Sequence, residues 1–386
     1  MPNTPPGPAP GAEVEGQTQH EIELVPGDDD RDDADSSIGD EPLSESLTSL
    51  RSSILAYQEE NGRTYHAMSA GSRPRRTDPN CSQSTFYQMM RYILDTSRPV
   101  PCCRQIPPKL TKCDAQPEIE RLDLQHHIFR LTFEDQICLC PKKDGAKRVL
   151  DLGTGTGIWC IDYADEHPEA EVIGVDLSPV QPDFVPPNCS FEIDDLEKEW
   201  MWTKPFDFIF SRFMTGSFAD NGEIVKKVFE QLEPGGYFEA QDMAVPFGCD
   251  DGTLTTDSDL WTWCMWLMQA MDAFGRPLTA AQKWKVLMEE AGFENVVEKV
   301  YKWPTNGWPR DRKYKVLGQW VLYNMDQVLE PAILAPMTRS LGWTREEAIV
   351  LAARARGVLR DPKVHAYWPI HVVYGRKPLS KGTSTQ

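Results

Sequence analysis

The chain has 386 residues, 40% of them apolar and ten of them cysteine, and a formal net charge of −19. Thirteen acids against one base, Arg31, fall within residues 1–50, so the rest is only mildly acidic, which argues against a general nucleic-acid binder. No apolar run reaches the roughly 18 residues of a membrane helix, no secretory leader opens the chain, and the scattered cysteines form no C-x-x-C pair, so a reduced cytoplasmic or nuclear protein is expected.

Residues 1–48 are rich in Pro, Gly, Ser and acids and read as a disordered acidic tail. The block Asp28–Asp33 is a solvated charge run or a docking tail for protein partners. A helix is expected over 47–67. The segment at about 72–112 has poor apolar periodicity and carries Arg73-Pro74-Arg75-Arg76, Cys81, Cys102 and Cys103, with Cys113 at its edge. The basic cluster reads as a solvated loop or a nuclear-targeting patch. The cysteine spacing fits no common zinc site, so no metal is expected. Residues 49–117 therefore form a helix plus an atypical insert.

From residue 117 the pattern is regular. A helix over 117–140 is expected from Leu122, Leu124, Ile128, Phe129, Leu131 and Phe133. Strands and helices then alternate, as in a doubly wound α/β domain. Strands are expected at 147–152, 170–176, 190–193, 206–211, 237–241, 295–301 and 370–376. Helices are expected at 156–167, 220–232 (closed by Glu233-Pro234-Gly235-Gly236) and 279–291. Two long inserts, 244–280 and 303–368, interrupt the alternation. The first is rich in Trp and Met, which suits a core, a ligand wall, or both.

Arg148-Val149-Leu150-Asp151-Leu152-Gly153-Thr154-Gly155-Thr156-Gly157 reads as a strand feeding a glycine turn feeding a helix N-terminus. A dinucleotide fingerprint needs a glycine where Ile158 stands. The G-x-G-x-G spacing with Asp151 two residues ahead resembles the first motif of class I methyltransferases, which bind S-adenosyl-L-methionine. Asp151 suits its ammonium, and Gly153, Gly155 and Gly157 suit close passage of the sugar. Asp176 closes the second strand and can accept two ribose hydroxyls. Asp194 and Asp195 follow the third strand, with Asp195 favoured for the adenine amino group. Ser211 ends the fourth strand at the edge of the sulfonium pocket. The catalytic residue is left open: His126, His127 and His365 are candidate bases, and a lone histidine is more often a structural hydrogen bonder.

Further residues carry a narrower resemblance. Asn61-Gly62-Arg63-Thr64-Tyr65-His66-Ala67, Arg121-Leu122-Asp123-Leu124-Gln125-His126-His127, Gly174-Val175-Asp176-Leu177-Ser178-Pro179, Asp251-Gly252-Thr253-Leu254 and His365-Ala366-Tyr367 are similar to the fungal LaeA-like methyltransferases. The resemblance implies a class I fold, a Rossmann-like seven-stranded doubly wound sheet over 118–377 with helical caps, followed by a short tail at 378–386. It also implies a role in fungal secondary metabolism, as a tailoring enzyme or as a LaeA-type regulator; the aromatic cap suits an aromatic or apolar small-molecule acceptor, and the acidic tail and basic cluster suit a nuclear regulator working through protein partners. Segment 72–112 departs from the family, as a lineage-specific loop or as translated intron sequence.

Overall fold

The computed structural model describes residues 24–27 and 112–379. The expected helix at 47–67, the basic patch and Cys81, Cys102 and Cys103 lie outside the described residues, as does most of the acidic tail. Within that tail, Leu24–Gly27 has a definite place. The Gly27 N–H donates to the Trp308 carbonyl at 3.0 Å and the Arg310 N–H to Val25 at 2.9 Å, with Leu24 buried.

Helix α1 spans Lys112–Thr132. The strands are β1 Arg148–Leu152, β2 Glu171–Asp176, β3 Cys189–Ile193, β4 Phe206–Arg212, β5 Leu232–Met243, β6 Gly248–Cys249, β7 Glu294–Pro304 and β8 Ala366–Arg376. Between them lie α2 Ile158–Glu166, α3 Asn221–Gln231, α4 Asp259–Ala273, α5 Trp284–Ala291, α6 Arg312–Ser340 and α7 Arg345–Arg360. The sheet runs β3-β2-β1-β4-β5-β8-β6, and β7 pairs with β8. Strands β1 to β5 are parallel, whereas β8 is antiparallel to both β5 and β7. The strand order reverses between β1 and β4, the place where open α/β sheets bind ligands at the strands' carboxyl ends. This is the expected class I architecture, with the two-residue β6 as an eighth strand.

The central strands are apolar nearly throughout, as parallel strands covered on both faces must be. One core lies on each face of the sheet, built on Leu150, Phe206, Phe238 and Trp284 on one and on Val149, Trp159, Tyr163 and Phe208 on the other. A third core is the cap. There α4, α6 and α7 pack with Trp303 and Trp368 of the long β7–β8 ribbon. The Trp- and Met-rich helix α4 is chiefly core: Trp263, Cys264, Leu267 and Met271 are buried, and the Trp263 indole donates to the Leu329 carbonyl at 2.9 Å.

Three expectations shift. The helix expected to reach residue 140 stops at Thr132, because Glu134 and Asp135 take φ of 56° and 67° and turn the chain away. The Pro-Gly-Gly signal after α3 does end that helix, but it also forms a bulge inside β5, which begins at Leu232 and not at residue 237. Helix α5 starts at Trp284, five residues later than expected, and closes on Gly292 in the left-handed conformation.

Candidate active site

The glycine turn follows β1. Gly153, Gly155 and Gly157 all have positive φ, at 72°, 56° and 80°. The Val175 carbonyl accepts the N–H groups of both Gly153 and Thr154 at 2.9 Å, which ties the turn to β2. A side chain would not fit at its two ends. A Cβ on Gly153 would lie 2.2 Å from the Met214 sulfur, and one on Gly157 would lie 2.2 Å from the Phe191 ring. Gly157 is the N-cap of α2 and brings no side-chain cap of its own.

Asp151 sits on β1 under this turn, almost wholly buried. Burial raises its carboxyl to about 6, against the pull of hydrogen bonds from Thr154 and Cys160 and of the Arg212 charge. The Cys160 thiol donates to it at 3.4 Å. Asp176 ends β2 and braces the turn. One oxygen accepts the Gly155 N–H at 2.8 Å and the other accepts the Ser178 N–H at 2.9 Å, so a ligand would meet only its remaining lone pairs. Gln181 completes this brace by donating to the Gly155 and Ser178 carbonyls at 2.6 and 3.0 Å. Asp194 is exposed and accepts the Asp195 N–H at 2.7 Å, while Asp195 is half-buried and accepts the Glu197 N–H. Ser211 lies at the end of β4, between Leu152 and Ala240, and its buried hydroxyl has no hydrogen-bond partner.

Helix α1 lies over the turn. Leu122 is the nearest side chain to the missing Cβ of Gly155, at 3.6 Å, and Asp123 accepts the Thr156 hydroxyl at 2.8 Å. His126 is buried among charges. An arginine can only donate, so the Arg212 bond at 3.0 Å makes Nδ1 an acceptor and leaves the proton on Nε2, facing Asp162 at 3.0 Å. Burial holds this imidazole below its usual range. Both ring nitrogens are thus engaged within the protein, which gives His126 a positioning geometry. His127 points to the cap and meets Trp320 edge to face, with centroids 5.7 Å apart. His365 pairs with Asp251 beside Trp308, just ahead of β8 and away from the glycine turn's own strands.

Arg212 and its partners carried little signal in the sequence. Arg212 is half-buried, and its guanidinium donates to Gln241 at 2.8 Å and the Ile137 carbonyl at 2.7 Å, lying over the Phe129 ring. Burial lowers it to about 10. Glu239, fully buried, accepts the N–H groups of Leu139 and Cys140 and the Gln241 amide. Its only sequence sign was a charge in an otherwise apolar strand. Met214 and Phe191, which lie against the glycines, read as ordinary apolar residues.

The residues fit a nucleoside-type sulfonium ligand on three counts: a turn of three positive-φ glycines whose two ends have no room for a Cβ against Met214 and Phe191, a buried carboxylate with a raised proton affinity, and the unpartnered Ser211 hydroxyl. Residues 124–298 match a family described as a methyltransferase domain. The chain is 32% identical to the methyltransferase pytC of Aspergillus terreus over 86% of this chain and 92% of pytC. It is 36% identical to tdiE of Emericella nidulans, over 69% of this chain and 84% of tdiE. It is 35% identical to the secondary metabolism regulator LAE1 of Cochliobolus heterostrophus, over 69% of this chain and 89% of LAE1.

Proposed function

The chain belongs to the fungal LaeA-like methyltransferase family and is a methyltransferase, and on that footing we propose that it methylates a small, apolar or aromatic acceptor in secondary-metabolite biosynthesis with S-adenosyl-L-methionine as donor. The observation that carries the reading is the buried Asp151 carboxylate under the glycine turn. An ammonium is the natural partner of such a group, because it recovers the cost of ionising the carboxyl out of water.

In this reading the donor brings a methyl group already activated by its positive sulfur, so the protein's task is mainly placement. Asp151 takes the ammonium. Asp176 offers its spare lone pairs to the ribose hydroxyls, Asp195 accepts from the adenine amino group, and Ser211 supplies a hydroxyl at the end of β4. Arg212 and His126 hold α1 at the height that closes the notch. The aromatic residues of the cap around Trp320 are the apolar surface that would suit a flat acceptor.

The likeness to LAE1 supports a second reading, a regulator acting through protein partners. Incubating the full chain with methyl-tritiated S-adenosylmethionine, fungal protein and an organic culture extract separates the two. The proposal expects label in the organic-soluble fraction. Label confined to precipitated protein supports the regulator, and no transfer contradicts both.

A further inference from the structure

Outside the notch, α1 and α6 enclose a polar cluster within an apolar interface. Arg121 forms a two-pronged pair with Glu118, Nε to Oε2 at 2.9 Å and Nη2 to Oε1 at 2.7 Å. Its Nη1 donates to the Gln125 oxygen at 3.2 Å and to the Asn324 oxygen at 3.1 Å. Arg121, Gln125 and Asn324 are 6%, 3% and 0% exposed. Both amides therefore present their oxygens to the guanidinium and turn their NH2 groups away from it. Gln125 Nε2 and Asn324 Nδ2 are buried and have no hydrogen-bond partner. Folded proteins rarely strand such donors, since each costs on the order of a lost hydrogen bond.

The chemistry of this gap is specific. Both free groups are donors, so the missing partner accepts and need not donate. A bridging water would bring two protons of its own and find for them only the second lone pairs of amide oxygens that already accept from Arg121. One turn away on each helix stand Ile128 and Phe129, and Trp320 and Val321, all in one apolar cluster. A carboxylate would bring a net charge, but Glu118 already balances Arg121. A neutral carbonyl oxygen meets both conditions, with two lone pairs for two N–H donors and no proton to strand. Gln125 lies one helical turn from Leu122, which touches the glycine turn, so the cluster is next to the notch along α1.

We propose that Gln125 and Asn324, oriented by Arg121, form an acceptor-binding site that grips a neutral carbonyl oxygen, so that the methyl acceptor is an apolar ketone, lactone or quinone-type compound. This rests on the methyltransferase reading above and names the substrate class of that site.

The test uses the full chain saturated with S-adenosylhomocysteine, titrated calorimetrically with 2-acetylnaphthalene and with 2-ethylnaphthalene, which lacks the carbonyl. We expect wild type to bind the ketone at least about tenfold more tightly. Asn324→Asp keeps the oxygen that Arg121 needs and replaces the free donor, so the preference is expected to vanish while S-adenosylhomocysteine affinity is unchanged. Gln125→Glu makes the same change from α1 and serves if the first variant does not fold. Equal affinity for the two probes, no binding of the ketone, or a preference that survives the variants overturns the inference alone. Failure of wild type to bind S-adenosylhomocysteine overturns the donor reading and this inference with it.

Discussion

Asp151 shows how one side chain can work against the fold for the sake of a site. Its carboxyl titrates near 6 in the fold, against 3.8 ordinarily, and burial is the main cause. Between those two values the folded state holds more protons than the unfolded state, so this group's contribution to stability falls as pH rises through the window. Above pH 6 the buried charge is a fixed cost. Asp151→Asn removes it, and the ligand-free variant at pH 7 should unfold at a higher temperature than wild type, by up to ~3 kcal/mol of stability for a shift of about two pH units. That gain should shrink as pH is lowered toward 4. Calorimetric melts across pH 4–8 check it, and a variant less stable than wild type at pH 7 contradicts it. The residue's position was legible, since an acid two places before a glycine turn has few reasons to be there. Its burial was not, because that depends on α1 and β4, which are distant in sequence.

At the scale of elements, short-range pattern performed best where periodicity decides and worst where a buried charge does. β1, β2 and β4 were legible because their apolar runs end in turn residues. The end of α1 was not, since Phe133, Ile137 and Leu139 continue its apolar rhythm and no glycine marks the stop. The chain leaves the helix because Glu239 and Arg212 offer its next residues partners on the sheet. Glu239 is thus the anchor of this connection. Glu239→Ala would strand the amides of Leu139 and Cys140 and leave the buried Arg212 charge with less compensation. Urea denaturation should show a loss of ~3 kcal/mol or more, at about 1–3 kcal/mol for each unpaired donor. A loss below ~1 kcal/mol would show that the connection does not depend on it. Likewise the donors Gln125 and Asn324 lie 199 positions apart in sequence, on α1 and α6, and only the packing of α1 on α6 brings them together.

For the whole molecule, sequence order was enough to give the fold class, because alternating strands and helices with three acids at successive strand ends admit few topologies. What it could not give was the placement of the caps. The β7–β8 ribbon carries the cap core past the sheet, and α1 lies over the glycine turn through Leu122 and Asp123. Among the described residues no helix is long and apolar enough to cross a membrane. Everything proposed for this chain turns on the notch above β1 holding the methyl donor through Asp151. Isothermal titration of the full chain with S-adenosylmethionine, wild type against Asp151→Asn, tests it most directly. One molecule bound per chain, with affinity falling roughly 10- to 100-fold in the variant, is the predicted result, since a charge-assisted hydrogen bond is worth about 1.5–3 kcal/mol. No binding to wild type, or equal affinity in the two proteins, would contradict it.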